Sequence, residues 1–157
     1  MKNEYSVRVI GSVSLENGFA VNINREFRKG LKGLEEFSHA IILWVFDRAR
    51  WDGGTLEVKP PYRSINHETG VFSTRSPFRP SPVAISTGGI LSVNEEEGLV
   101  LLDWIDAMDC SPVIDIKPYH PSMDRVSRVC MPEWCAHWPR SREESGEFDW
   151  EREFSTD

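Results

Sequence analysis

The sequence contains no long apolar run. The longest stretch, from Ala40 to Phe46, has seven residues, whereas a membrane-spanning helix needs roughly 18 or more. The first residues also lack the apolar segment and the small-residue cleavage site of a secretory signal. We therefore expect a cytoplasmic protein that has no membrane partner.

Cysteine is scarce, with three residues at Cys110, Cys130 and Cys135. A disulfide scaffold of this length would carry a larger and even number, so we expect reduced thiols. The spacing of Cys130, Cys135 and His137 does not match a zinc site, and a second ligand pair is missing. No metal site is therefore expected.

Several enzyme motifs are also missing. The sequence has neither a GxGxxG after a strand nor a Walker A sequence, so a Rossmann cofactor site and a P-loop are unsupported. A GxSxG nucleophile elbow does not occur either. Any cofactor site must therefore be built from other residues.

Basic residues are fewer than acidic residues, and the net charge is −7. This value argues against nucleic-acid binding through bulk charge. Residues 142–157 carry −5 of it and residues 1–141 only −2, so a local basic patch can still form in the body. We predict a folded domain over residues 1–141 and an acidic tail over residues 142–157. The tail is expected to be loose, or to form a short helix that carries its three aromatic residues, Phe148, Trp150 and Phe154.

The sequence does contain a series of short strand-like segments. Alternating apolar and polar residues in Tyr5–Val9 and Phe19–Ile23 predict half-buried strands, and Ala40–Phe46 fits a strand buried on both faces. Further strands are expected at Thr55–Lys59, Val71–Thr74, Val83–Thr87, Leu99–Asp103 and Val113–Ile116. Short strands at this spacing favour a β-barrel or sandwich over a βαβ fold. We predict an all-β, single-domain β-barrel with one or two short helices.

Glycines mark two local features of this fold. Arg25–Phe37 is the best helical window before the C-terminal segment, although Gly30 and Gly33 weaken it. The pair Gly88-Gly89 lies between two apolar stretches and predicts a bulge or a sharp bend in a curved sheet.

The segment Gly70–Pro82, GVFSTRSPFRPSP, is the first that indicates chemistry. Its three prolines fix the backbone, and the loop carries Arg75 and Arg79. A rigid loop positions functional groups, and a guanidinium presents a planar donor fork to carboxylate or phosphate. The alternative is a structural loop whose arginines cap strand ends or pair with acids.

The second such segment is Asp109–Pro121, DCSPVIDIKPYHP. It begins with turn chemistry and continues as a strand. Asp115, Lys117 and Tyr119 alternate along this strand, so they are predicted to project to one face. An acid, a base and an aromatic ring on one face indicate a small-molecule site. A surface ion pair is the alternative interpretation.

Both segments resemble the TsaA-like family, also called the YaeB or TrmO family. Its members carry G-V-F-A-T-R-S-P-x-R-P-N-P-I-G-L-S and D-G-T-P-V-[IL]-D-I-K-P-Y motifs, and Gly33–His39 is similar to a third family element, G-L-E-x-F-S-H. Two long motifs in the right order are specific. The resemblance implies a small β-barrel that binds S-adenosylmethionine without a Rossmann fold, near a homodimer interface. It also implies N6-methylation of threonylcarbamoyladenosine beside the tRNA anticodon.

The resemblance also implies roles for individual residues. Arg75 matches an arginine that contacts the cofactor, and Ile85 stands at an apolar position against the adenine. Four residues match the cofactor turn, with Gly and Thr replaced at its two middle positions: Asp109, Cys110, Ser111 and Pro112. A cysteine in place of glycine resists a positive φ if the turn requires one.

The methyl acceptor is less defined. Methyl transfer from a sulfonium is an in-line displacement that depends on positioning and electrostatics. Candidates for positioning the acceptor are Asp115, Lys117 and Tyr119, and Arg79 is a candidate for binding the substrate.

Three departures from the family leave other acceptors open. The loop after the first strand has no Pro-x-Gln element, Asp47-Arg48 replaces His-Gln or His-Lys, and Ser81–Ala84 replaces Asn-Pro-Ile-Gly. The alternatives are methylation of a small-molecule acceptor, and a non-enzymatic module that binds S-adenosylmethionine.

Overall fold

The structure is a computed structural model that describes residues 5–155. Its internal contacts group the chain into two compact units. The barrel unit comprises residues 5–52 and 77–124, and the aromatic unit comprises residues 53–76 and 125–155. This grouping differs from the predicted boundary at residue 141. Within the described residues, no helix is long and apolar enough to cross a membrane.

The barrel unit is a closed barrel of six antiparallel strands in the order β1-β2-β7-β6-β3-β8. The six strands are β1 (Gly11–Ser14), β2 (Phe19–Ile23), β3 (His39–Val45), β6 (Val83–Asn94), β7 (Leu99–Leu102) and β8 (Pro112–Pro118). One short α-helix, α1 (Pro121–Asp124), follows β8. The prediction of a mainly β barrel with few short helices is confirmed.

Alternation along the strands fills the barrel interior. On β3, Ala40, Ile42 and Trp44 point inward and are at most 4% exposed, while Ile41 on the opposite face is 9% exposed. Branched aliphatic residues of the other strands complete the core, among them Val13, Val21, Val100 and Val113. One polar pair lies inside, where the Trp44 Nε1–H donates to Ser86 Oγ at 3.0 Å. Such a bond satisfies two groups that would be costly to bury alone.

The first predicted strand is wrong, since Tyr5–Val9 forms no strand and its three apolar side chains are exposed. Strand β1 begins only at Gly11, which is opposite Ile23. Any earlier residue would have to pair beyond Ile23, where the chain turns into a 3-10 helix at Arg25–Leu31. Apolar and polar residues do alternate in Tyr5–Val9, but β2, the strand with which they would pair, ends at Ile23.

Two other local predictions concern glycines of the barrel unit. The helix predicted over Arg25–Phe37 is two 3-10 helices, because Gly33 adopts a φ of 86° between them. The register of β6 shifts between Ile90 and Ser92, directly after the Gly88-Gly89 pair at which a bulge or bend was predicted. A Cβ on Gly88 would lie 2.8 Å from the Trp104 carbonyl oxygen, so the close approach of the backbone explains this glycine.

The aromatic unit contains a two-stranded sheet of β4 (Glu57–Val58) and β5 (Thr69–Gly70), and one α-helix, α2 (Arg142–Ser145). Three 3-10 helices complete its regular structure: Val71–Ser73, Glu133–Cys135 and Trp150–Arg152. The strand predicted at Val71–Thr74 is therefore wrong. Both the Thr74 N–H and its hydroxyl bond the Val71 carbonyl, which closes a helical turn.

The acidic C-terminal residues belong to the folded part of the aromatic unit. The Tyr62 ring lies 5.7 Å from Trp134 and 5.4 Å from Phe154, and Trp138 lies 5.3 Å from Trp150. Backbone hydrogen bonds join Ser155 to Pro61, and Glu153 to Arg63. Aromatic packing and backbone hydrogen bonds therefore order this acidic segment.

Candidate functional site

The turn before β8 is held against β1 by its own side chains and backbone. Asp109 Oδ1 accepts the Leu15 N–H at 2.9 Å, and the Cys110 N–H donates to the Val13 carbonyl at 2.9 Å. The Ser111 N–H bonds the Met108 carbonyl at 3.1 Å. Ser111 is 2% exposed, so the turn ends inside the barrel unit.

Cys110 occupies a conformation that usually belongs to glycine. Its φ is 66°, and it is the one non-glycine residue with a positive φ among residues 5–155. Its thiol donates to Asp109 Oδ2 at 3.3 Å. The turn thus does require a positive φ, and the cysteine adopts it at a conformational cost.

The same contacts set the ionisation of the turn. The Leu15 N–H, and then the Cys110 thiol, lower the pKa of Asp109 because they donate to its charged form. The neighbouring carboxylate raises the pKa of the Cys110 thiol, chiefly through their hydrogen bond. At neutral pH the turn therefore presents a carboxylate and a protonated thiol.

Arg48 links this turn to the loop that follows β3. Its Nη2 donates to the Asp109 carbonyl at 2.9 Å, and its Nη1 lies 3.3 Å from Met108 Sδ. The sequence singled out Asp47-Arg48 as a departure from the family and did not predict a contact between Arg48 and this turn. The structure gives Arg48 a defined contact with the turn.

A pocket of about 400 Å³ lies beside these groups in the barrel unit, and we call it the barrel pocket. Three aromatic side chains, Trp44, Phe46 and Phe78, form much of its wall. Its other lining groups include the following residues: Arg48, Asp106, Met108 and Ser111. The pocket is therefore mainly apolar, with two charged side chains and a hydroxyl at defined places.

The structure brings another set of predicted residues to the outer face of the barrel. Leu43 of β3 pairs with Asp115 of β8 on one side and with Ile85 of β6 on the other. Asp115 and Ile85 therefore lie two strand spacings apart, roughly 10 Å. Ile85 is 50% exposed and does not line the barrel pocket.

Asp115 and Lys117 form an ion pair on this face, with Nζ 2.7 Å from Oδ2. The Asp115 carboxylate raises the pKa of Lys117, so the lysine remains an ammonium at neutral pH. Tyr119 lies at the end of the row, with its ring 6.3 Å from the His39 ring. Asp115 and Lys117 thus lie side by side and form the ion pair that was the alternative interpretation, while Tyr119 lies just beyond the end of β8.

The two arginines of the proline-rich loop belong to different units. Arg75 is exposed and lies in the aromatic unit, directly before Ser76, the last residue of that unit's first segment. Arg79 lies in the barrel unit, four residues before β6 begins at Val83. The structure therefore divides this predicted pair.

Sequence reasoning missed most of the residues that line the barrel pocket. Trp44 and Phe46 appeared only as part of a buried strand, and Asp106 and Met108 were not singled out. A signal did exist, because Asp106 and Met108 directly precede the DCSP turn. Phe78 also lies within the first motif.

Comparison with known proteins gives a consistent result. A family model described as the tRNA-methyltransferase O N-terminal domain matches residues 10–125. An S-adenosyl-L-methionine-binding protein of Archaeoglobus fulgidus is 42% identical over 104 residues, which are 66% of this chain and 70% of that protein. A tRNA (adenine(37)-N6)-methyltransferase of Escherichia coli is 41% identical over 93 residues, which are 58% of this chain and 40% of that protein.

Other relatives are longer than the shared region. A probable S-adenosyl-L-methionine-binding protein of Archaeoglobus fulgidus is 43% identical over 69% of this chain, but the match spans only 28% of that protein. A crystal structure of TrmO superposes with a TM-score of 0.66 at 28% identity and covers 82% of this chain and 64% of that one. TrmO from Pseudomonas aeruginosa superposes with a TM-score of 0.63 at 27% identity over 82% of this chain and 62% of that one.

Proposed function

The chain belongs to the tRNA-methyltransferase O N-terminal domain family, and we propose on this basis that it is an S-adenosylmethionine-dependent methyltransferase. The proposed acceptor is the N6 nitrogen of the adenosine beside the tRNA anticodon. The observation that carries the proposal is the barrel pocket, since Ser111 of the family's cofactor turn lines it.

The lining of the barrel pocket fits S-adenosylmethionine in size and chemistry. Its volume of about 400 Å³ lies within the range of small-molecule sites. Trp44, Phe46 and Phe78 offer the apolar and aromatic surface that an adenine ring requires. Asp106 is an acid suited to balance a sulfonium charge. The bound cofactor would supply the activated methyl group.

The protein's part in this chemistry is to position groups. Asp109 and Arg48 hold the turn, so that the Ser111 hydroxyl and the backbone around the positive φ of Cys110 keep one orientation. Preorganised polar groups of this kind contribute to catalysis because they need not reorganise during the reaction. Arg75 is proposed as a further cofactor contact from the resemblance alone.

The outer face of β8 is proposed to position the acceptor. Lys117 is held as a cation by Asp115, so we assign it to contacts with phosphate or carboxylate and not to proton abstraction. Arg79 is proposed to bind RNA phosphate in the same way. Tyr119 offers a ring on which an unpaired base can stack.

We propose, in addition, that the protein acts as a homodimer. Val83 and Ile85 on the outer face of β6 are 41% and 50% exposed, and adjacent apolar groups of this kind favour association. Light scattering should then give about 36 kDa, twice the 18.0 kDa of one chain. A mass of 18 kDa at tens of micromolar would contradict a shared site.

The test of the main proposal has two steps. Calorimetry with S-adenosylmethionine and with its demethylated product should detect binding to the full chain. Transfer of labelled methyl groups is then measured with tRNA that carries threonylcarbamoyladenosine, and with the same tRNA in which guanosine replaces that adenosine. Transfer should require the adenosine. Binding without transfer to tRNA would contradict the tRNA acceptor and favour a small-molecule acceptor, whereas no binding would contradict both.

A further inference from the structure

The aromatic unit contains a second pocket that the proposed methyl transfer does not use. It has a volume of about 620 Å³ and is lined by Ser64, His67, Glu133, Trp134 and His137, and we call it the histidine pocket. Glu133, Trp134 and His137 lie beyond residue 125, where the family match ends. The family match therefore includes Ser64 and His67 but not the other three lining residues.

A carboxylate fixes the orientation of one histidine in the pocket. His137 Nε2 lies 2.9 Å from Glu153 Oε1, and the Trp138 indole N–H donates to Glu153 Oε2 at 3.0 Å. The His137 hydrogen bond, followed by that of Trp138, lowers the pKa of Glu153, so this group is a carboxylate at neutral pH. His137 Nε2 must then carry the hydrogen, which leaves Nδ1 as an acceptor when the ring is neutral.

Three more polar side chains line the same pocket. Ser64, His67 and Glu133 make no side-chain hydrogen bond or ion pair within residues 5–155. In the same part of the chain, no three His, Cys, Asp or Glu side chains are arranged to hold a metal ion. The pocket therefore presents a hydroxyl, two imidazoles and a carboxylate to a ligand other than a metal.

Trp134 gives the pocket a rigid aromatic wall. Its ring stacks on Tyr62 with an interplanar angle of 20° and meets the edge of Trp138 at a centroid distance of 5.3 Å. These neighbours hold the indole in one orientation before a ligand arrives. Aromatic side chains in RNA-binding proteins bind unpaired bases by stacking.

We propose that the histidine pocket binds an unpaired guanine base of the RNA substrate. Guanine carries adjacent N1–H and N2–H donors that match the two oxygens of one carboxylate, here Glu133. Its O6 and N7 acceptors suit the hydroxyl of Ser64 and an N–H of His67. Phosphate is disfavoured because the Glu133 and Glu153 carboxylates repel it. The RNA class of the ligand rests on the proposed function.

The histidines themselves report on this binding. The chain has four histidines, of which His67 and His137 line the pocket while His39 and His120 lie in the barrel unit. Guanosine 5′-monophosphate is titrated into the full chain while the four imidazole C–H signals are followed by NMR. We expect the signals of His67 and His137 to shift more, and at lower nucleotide concentration, than those of His39 and His120. Adenosine, cytidine and uridine monophosphates should bind more weakly.

Three outcomes of the titration would overturn the proposal. In the first, guanosine monophosphate moves none of the four signals at millimolar concentration. In the second, it moves all four equally. In the third, inorganic phosphate or spermidine shifts the His67 and His137 signals as much as the nucleotide does, which would identify an anion or a cation site.

A matched pair of variants tests the guanine contact. Glu133→Gln replaces one acceptor oxygen by a donor and should weaken guanosine monophosphate binding about tenfold. Glu151→Gln removes an exposed charge in the same unit and should leave the affinity unchanged. Equal effects of the two would overturn the assignment. This readout does not involve S-adenosylmethionine. If the unmodified protein methylates tRNA but does not bind guanosine monophosphate, the pocket assignment alone is contradicted. If it binds the nucleotide but transfers no methyl group, the proposed function alone is contradicted.

Discussion

Arg48 donates from Nη2 to the carbonyl oxygen of Asp109 at 2.9 Å. One side chain therefore joins the loop after β3 to the turn before β8, and both Arg48 and the turn residue Ser111 line the barrel pocket. The bond restrains the turn in which Cys110 holds its positive φ. The shape of the pocket consequently depends on Arg48, a residue that lies outside the family motifs.

We predict that Arg48→Ala weakens S-adenosylmethionine binding on the order of fivefold, because the turn loses a charge-assisted hydrogen bond. Arg48→Lys should have an intermediate effect, since it keeps the charge but not the planar fork. Calorimetry measures both. Arg50→Ala removes an exposed arginine two residues away and serves as the control. An equal loss in Arg50→Ala would show that net charge, and not the turn contact, matters.

Cys110 allows a direct test of backbone strain. Cys110→Gly should stabilise the protein by about 1 kcal/mol, because glycine adopts a positive φ without a Cβ penalty and this gain exceeds its entropy cost. Cys110→Ala keeps the strain and loses the thiol contact with Asp109, so no gain is expected. Thermal unfolding should show a rise of about 2–4 °C for glycine alone. A similar rise for alanine would contradict the strain interpretation.

The sequence predicted the barrel because its strands bury alternate residues, as Ala40, Ile42 and Trp44 do on β3. Alternation alone did not reveal where a strand loses its partner, and so Tyr5–Val9 was wrongly predicted. The motif turn at Asp109 was found because a turn is a local feature. The barrel pocket was missed because Trp44, Phe78 and Asp106 are brought together by strand pairing and loop closure, which no local pattern records.

Composition alone did not predict how the C-terminal end packs. The acidic residues of 142–155 are mostly exposed, whereas Phe148 and Trp150 pack their rings 4.9 Å apart in the aromatic unit. The net charge of a segment reflects its exposed side chains and does not show whether its apolar side chains are packed. A few aromatic side chains bury enough area to order a short acidic segment.

The pairing of Asp109 with Cys110 predicts the reactivity of that thiol. The carboxylate raises the pKa of Cys110, so less of its thiol is ionised at a given pH. We therefore expect Cys110 to react slowly with iodoacetamide at pH 8, although it is exposed. Asp109→Asn keeps an oxygen for the Leu15 N–H and removes the charge, so alkylation of Cys110 should become several-fold faster. Peptide mass spectrometry measures the alkylation rate of Cys110 relative to that of the exposed Cys130, which serves as an internal reference. An unchanged ratio of the two rates would contradict this account.

Glu153 predicts a loss of stability in acid. Its pKa in the folded protein lies below the ordinary value of 4.5 because His137 and Trp138 donate to the carboxylate. A carboxylate of lowered pKa contributes stability above its unfolded pKa and loses it as the pH falls through the folded pKa. Urea unfolding followed by tryptophan fluorescence should therefore show declining stability below about pH 4.5.

Glu153→Gln should flatten this acid decline and lower the stability at pH 7. The exposed Glu151→Gln is the matched control and should keep the decline of the unmodified protein. If Glu153→Gln retains the full decline, another carboxylate such as Asp109, whose pKa is also lowered, is responsible.

The acidic C-terminal segment is predicted to weaken tRNA binding, provided that tRNA is the substrate. Deleting residues 142–157 is not a clean test, because Trp150 and Phe154 pack within the aromatic unit. Charge reversal at the exposed Glu147 and Glu151 keeps those rings. The double variant Glu147→Lys, Glu151→Lys should bind tRNA more tightly at 50 mM salt, and the gain should shrink at 200 mM as screening increases.

Salt dependence then decides whether the added charges contact the RNA. Each new phosphate contact should steepen the log–log slope of affinity against salt by about 0.7 to 0.9. Glu35→Lys with Glu36→Lys makes the same change of net charge on the barrel unit and is the control. If both double variants give the same gain and the same slope, the effect is one of net charge, and residues 142–157 have no local role. If the protein binds no tRNA at 50 mM salt with or without these changes, the tRNA acceptor itself is wrong.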